Sequence, residues 1–172
     1  MALNQIVPDS QMTLFANLSA LLTGIAPSML TPDVDPIDIK TVYFSTAQSK
    51  AGVTFSQLLE TYDQNQTKTP AEIAAILFKD PALRYLCRSI MLMWYLGSWY
   101  DPAALQANDP ASGGKPGFVP SSVISAAAYT QGWAWSVAQA HPMGYSNFNF
   151  GYWSENPPSL ADFIGTSEGS GQ

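Results

Sequence analysis

The chain has 172 residues, enough for one domain with a core of its own, and at 47% hydrophobic but only 12% charged it carries about half the charge of an ordinary soluble domain. Its seven Lys and Arg residues are scattered and the net charge is −6, so nothing is present to neutralise phosphates and nucleic acid is excluded as a partner. One cysteine, Cys87, and one histidine, His141, rule out an intrachain disulfide and any Cys/His set for zinc or an iron–sulfur cluster.

In chain order, Ser10 opens a first helix through Met12, Leu14, Phe15, Leu18, Leu21 and Leu22, spaced mainly three and four apart, and Gly24 stops it. Residues 27–35 read as a linker. Asp35-Pro36 sets an N-cap before a first-turn proline and predicts a short helix through Ile37, Tyr43 and Phe44. Thr54-Phe55-Ser56-Gln57 is a capping box that predicts a further start, and Thr69-Pro70-Ala71-Glu72 is a stronger one. Asp80-Pro81 repeats the Asp-Pro device and begins the longest helix, which Gly97 ends. Arg84 and Arg88 share one face of its first half. From Ile90 the helix is apolar all round, as expected of a central or interface helix.

Residues 101–120 are rich in proline and glycine and read as an ordered loop or connector. Ser125 caps a final long helix expected over 126–140, carrying Tyr129, Trp133, Trp135 and Val137. Residues 141–158 lack periodicity but hold Tyr145, Phe148, Phe150, Tyr152 and Trp153. No internal repeat and no strand alternation stand out. The expected fold is all-α: a single helical domain over 1–165 with about five helices and a long irregular C-terminal arm at 141–158, then a flexible tail at 166–172.

The longest apolar run, residues 90–96, is about a third of the ~20 residues a membrane-spanning helix needs, so no direct membrane span is expected. Residues 1–24 show neither a basic n-region nor a twin arginine. The chain is then expected to stay inside the cell, to have lost a leader, or to be carried out by a partner.

The residues offer no convincing catalytic centre. His141 is the one candidate general base, with no carboxylate placed beside it by sequence, and the simpler reading has the His-Pro pair ending a helix. No Gly-x-Ser-x-Gly, Walker loop or dinucleotide fingerprint occurs. Gly113-Gly114-Lys115 reads as a flexible loop fragment, Cys87 as a buried small hydrophobe, and Asp33 and Asp35 as caps and solvated loop. Trp94, Tyr95, Trp99, Tyr100, Trp133 and Trp135 sit in or beside helices and suit a core. The arm differs, because five rings in eighteen irregular residues exceed what a small core absorbs. Left bare they would make too large an apolar patch, whereas against a partner such rings act as hot spots.

Two stretches of this arm carry a resemblance. Ala140-His141-Pro142-Met143-Gly144 and Gly151-Tyr152-Trp153-Ser154-Glu155-Asn156-Pro157 resemble the C-terminal signature of the small subunits of bacterial flavin-dependent sorbitol and fructose dehydrogenases. Ser125, Tyr129 and Trp135 match that family's last helix, and residues 93–99 (Met-Trp-Tyr-Leu-Gly-Ser-Trp) its central helix end. Residues 15–24 are similar to its F-x-x-L-S-x-x-L-T-G opening, and the likeness is loose between 25 and 80.

The resemblance implies a non-catalytic accessory subunit with no cofactor of its own. Its partner would be a large FAD-containing subunit of the glucose–methanol–choline type, which passes electrons to a multihaem cytochrome c in the membrane. The small subunit supports folding and export of the catalytic one, which implies a periplasmic complex at the inner membrane. A member without a twin-arginine leader could instead work in the cytoplasm. Trp135, His141, Pro142, Met143, Gly144, Tyr152 and Trp153 are carried over as partner-interface residues; no catalytic, cofactor or metal residue is assigned. Two other readings compete: an independent carbohydrate-binding module that stacks Trp and Tyr on sugar faces, and a stand-alone enzyme centred on His141.

Overall fold

The computed structural model describes residues 9–32, 34–138 and 140–142, and these are mostly helical, as the all-α expectation requires. Helix α1 (Asp9–Thr23) buries Phe15 and Leu18 and ends where Gly24, in the left-handed region, returns its amide to the Ala20 carbonyl at 2.9 Å. Residues 27–35 are not simply a linker. Pro27 begins a single turn, α2 (Pro27–Leu30), anchored by the fully buried Leu30.

The Asp35 carboxylate caps as expected, accepting the Ile37 and Ile39 amides at 3.1 and 2.8 Å. The helix proper, α3 (Ile39–Asp63), nevertheless starts later than Pro36, because Asp38 takes a left-handed φ of 50°. The two helices expected here are both present, joined end to end at a break at Gly52 (φ 44°, ψ −115°), a backbone open essentially to glycine alone. The bend lets both halves face the same core. Phe44 before it and Phe55 after it meet at 5.3 Å, and each sets its ring edge-on to Phe15, at 5.6 and 5.8 Å.

Helix α4 (Pro70–Lys79) carries the full capping box: the Glu72 amide donates to Thr69 Oγ1 at 3.4 Å, and the Thr69 amide to the Glu72 carboxylate at 2.9 Å. Helix α5 (Pro81–Leu96) is capped by Asp80, which accepts the Ala82 amide at 2.8 Å, and is closed by Gly97 at φ 62°. The all-round apolar pattern is explained by its place, since α5 touches α1, α3 and α4 and buries Leu86, Cys87, Ile90, Met93 and Trp94. Trp94 stacks on Phe15 at 6.3 Å and meets the Tyr43 ring edge-on at 4.7 Å.

Beyond α5 the structure departs from expectation three times. Residues 98–100 form a strand, β1 (Ser98–Tyr100), which pairs antiparallel with β2 (Ser121–Val123), Trp99 opposite Ser122. The intervening loop is partly helical: Asp101 caps α6 (Pro102–Ala107) and Asp109 caps a 3-10 turn (Pro110–Ser112). The long final helix is two short ones, α7 (Ala126–Thr130) and α8 (Trp133–Val137), parted at Gly132. The parting has a tertiary cause, because Gly132 lies so close to α5 that a Cβ there would come within 2.8 Å of the Tyr95 carbonyl. Residues 143–158 of the predicted arm and the tail at 166–172 lie outside the described residues.

Candidate partner-contact surface

The segment that leads into the arm is built on α7 and α8. Ser125 caps α7 as expected, accepting the Ala128 amide at 3.0 Å. Gly132 turns the chain, and α8 packs back on α5. Trp135 is half-buried, its ring edge-on to Tyr129 at 5.3 Å, and its indole N–H donates to the Tyr129 carbonyl at 2.8 Å. The indole nitrogen is thereby committed within the chain, while part of the ring stays accessible. Trp133 is also half-buried and packs on the core, and Val137 is exposed.

After α8 the Ala140 amide donates to the Trp135 carbonyl at 2.8 Å, a turn that ends the helix. His141 is half-buried with Nδ1 3.2 Å from the Pro142 carbonyl; the carbonyl can only accept, so this contact requires Nδ1 to carry the proton. Pro142 is buried. The structure thus brings Trp135, His141 and Pro142 to the end of one short helix. The other predicted contact residues, Met143, Gly144, Tyr152 and Trp153, lie outside the described residues.

A cavity of about 320 Å³ opens between the turn around α2 and the α5–α8 contact, lined by Leu30, Asp35, Tyr43, Trp94, Trp133 and Ser136. Among the described residues its one carboxylate, Asp35, is occupied by the two backbone amides it caps. The Trp94 indole N–H has no acceptor and no accessible area, so it sits in the wall without facing the opening. No pair of groups suited to proton transfer meets there.

Functional side chains converge elsewhere, at a network that sequence reasoning missed. The buried Tyr85 hydroxyl donates to Asp109 at 2.9 Å and also contacts the Ser112 hydroxyl. Arg84 donates to Ser112 at 2.8 Å and lies 4.9 Å above the Tyr85 ring, while Arg88 comes within 3.6 Å of Asp109. The Ala111 amide first, then the Tyr85 hydroxyl, hold the Asp109 carboxyl below the usual carboxylate range. The signal was present in outline: Arg84 and Arg88 share a helix face, and Asp109-Pro110 is the same cap seen at Asp80-Pro81. The network fastens the 101–115 loop to α5.

The 113–115 stretch departs from the flexible fragment expected of it, whereas Cys87 is buried as expected. The amides of Gly113, Gly114 and Lys115 donate to the carbonyls of Pro110, Asp109 and Ala107 at 3.0, 2.9 and 3.0 Å, so this is an ordered turn with no amides left to cradle a phosphate. Burial pushes the Cys87 thiol up to about 12, far from a thiolate nucleophile. Among the described residues no group of three or more His, Cys, Asp or Glu gathers to hold a metal, and no helix is long and apolar enough to cross a membrane. No family model, no curated protein and no solved structure matches this chain.

Proposed function

We propose that this chain is a non-catalytic accessory subunit that supports folding and stability of the FAD-containing catalytic subunit of a sugar or polyol dehydrogenase. The observation that carries the reading is the pair of motifs at 140–144 and 151–157, which begins three residues after the end of α8. The partly accessible Trp135 supports it, since an amphipathic indole shortly before a ring-rich segment suits a hot spot. A subunit that binds only the folded flavoprotein stabilises it by mass action. In this reading the complex works at the periplasmic face of the inner membrane and hands electrons to a multihaem cytochrome c.

Co-expression tests it. Adding this chain to the large flavoprotein subunit from the same genome raises that subunit's soluble yield and its dye-linked sugar oxidation, whereas the purified chain alone is colourless and inert. Unchanged yield and activity without this chain would end the proposal. Saturable quenching of tryptophan fluorescence by sorbitol or glycans with the isolated chain would favour a carbohydrate-binding module instead.

A further inference from the structure

The two-stranded sheet ends at β2, and all three of its residues are exposed. The Ile124 amide donates to the Gly97 carbonyl at 3.1 Å, and the register puts Trp99 opposite Ser122. In an antiparallel ladder bonded pairs recur every second residue, so Ser122 turns its backbone groups toward β1 while Ser121 and Val123 turn theirs outward. Proteins commonly blunt such an edge with charge or with proline. Neither applies on this edge. By the same alternation Pro120 lacks its donor on the side of β1, and no Asp, Glu, Lys or Arg occurs between Lys115 and Glu155. The neighbouring side chains are apolar and bare, Phe118 at 89% and Val123 at 58% exposure.

From this edge we infer that β2 is a self-association site, two copies of the chain pairing β2 with β2 antiparallel across a two-fold axis at Ser122. The occupant follows from charge. A two-fold interface sets residues near its axis against their own copies, so a charge there meets its like, and two copies of a chain of net charge −6 repel one another overall. The uncharged stretch around β2 escapes that repulsion. The register is also self-consistent. With Ser122 on the axis, Ser121 faces Val123 of the partner subunit and the reverse, and each pair exchanges two backbone hydrogen bonds from groups that now point to solvent. The sheet grows from two strands to four. This inference is independent of the accessory-subunit reading, since it uses an edge of the helical body and not the arm.

Three-residue strands make a small contact, so the dimer is weak, with half-association near about 100 µM. Sedimentation equilibrium of the full chain from about 10 µM to about 1 mM reads it. Ser122→Lys and Ser122→Glu each place like charges across the axis at an exposed position that leaves the core untouched. Each weakens self-association about tenfold or more at low salt, and a 1:1 mixture of the two restores it. A chain that stays monomeric to about 1 mM overturns the inference. So do variants that associate as tightly as the parent, or a mixture that fails to recover.

Discussion

At the scale of single residues, Gly97 meets two demands that separate cleanly by experiment. It ends α5 with a left-handed φ of 62°, and a Cβ there would lie 2.2 Å from the Ala128 carbonyl oxygen, a backbone atom that cannot swing aside. Gly24 ends α1 with φ 73° but has nothing within 4 Å. Gly24→Ala should therefore cost about 1 kcal/mol, the strain of a left-handed alanine alone. Gly97→Ala adds the displacement of α7 from α5 and should cost about 3 kcal/mol or more. Urea unfolding of both variants checks the difference. Equal losses would mean that α7 is not fixed where it packs. Cys87 is the opposite case: deep burial alone accounts for an unreactive thiol.

At the scale of elements, one device recurs. Asp followed by Pro caps at Asp35, Asp80, Asp101 and Asp109, each carboxylate accepting backbone amides of the turn it begins. Such caps act within a few residues, and for that reason α4 and α5 were legible in the sequence nearly to their ends, as α1 was from its apolar spacing and Gly24. Elements fixed by distant partners were not. Strands of three residues are too short to show alternation, and β1 finds β2 across the whole 101–120 loop. The break at Gly132 depends on the approach of α5, and the Tyr85–Asp109–Ser112 network on a folded loop. Of the predicted contact residues, Trp135 was expected on one long helix capped by Ser125; the cap forms on α7, whereas Trp135 lies on α8 beyond the break at Gly132, its indole N–H lodged on the Tyr129 carbonyl. The network makes a prediction of its own. Tyr85→Phe keeps the ring and removes the hydroxyl, so it should cost about 1–2 kcal/mol and speed amide exchange at 101–115 before the core opens. The Asp109 and Glu72 carboxyls are both held below their ordinary range, Asp109 mainly by the Ala111 amide and Glu72 mainly by the Thr69 hydroxyl. A depressed carboxyl contributes stability that is present above its unfolded value and disappears as pH falls through its lower folded value. Acid should therefore loosen this loop and the start of α4, and Asp109→Asn or Glu72→Gln should each flatten the loss of stability on the acid side. A parallel acid dependence in the variants would show that these caps do not set it.

At the scale of the whole molecule, the accessory-subunit proposal assigns stability to the described core and docking to the arm. Among the described residues the core cluster runs from Phe15 to Ala128 and centres on Trp94, with Phe15, Tyr43 and Phe44 around it. Charge is distributed just as unevenly, since every Asp, Glu, Lys and Arg lies outside the stretch between Lys115 and Glu155. The helices up to α6 thus lie in the charged part of the chain, and the uncharged part holds β2, α7, α8 and the arm as far as Ser154. If the arm is a docking strap, its removal should cost the body little. A chain ending at Pro142 should keep its helical circular dichroism and a cooperative melt within about 3 °C of the full chain. Phe15→Ala, which empties the centre of the core, should lower the midpoint by more than about 6 °C, as expected for a loss of about 3–5 kcal/mol in a chain of this size. The shortened chain should at the same time lose its effect on the yield of the flavoprotein subunit, while Phe15→Ala at low temperature retains it. Collapse of the helical signal on shortening would instead make the arm part of the core, leaving the rings of residues 145–153 no surface with which to hold a partner.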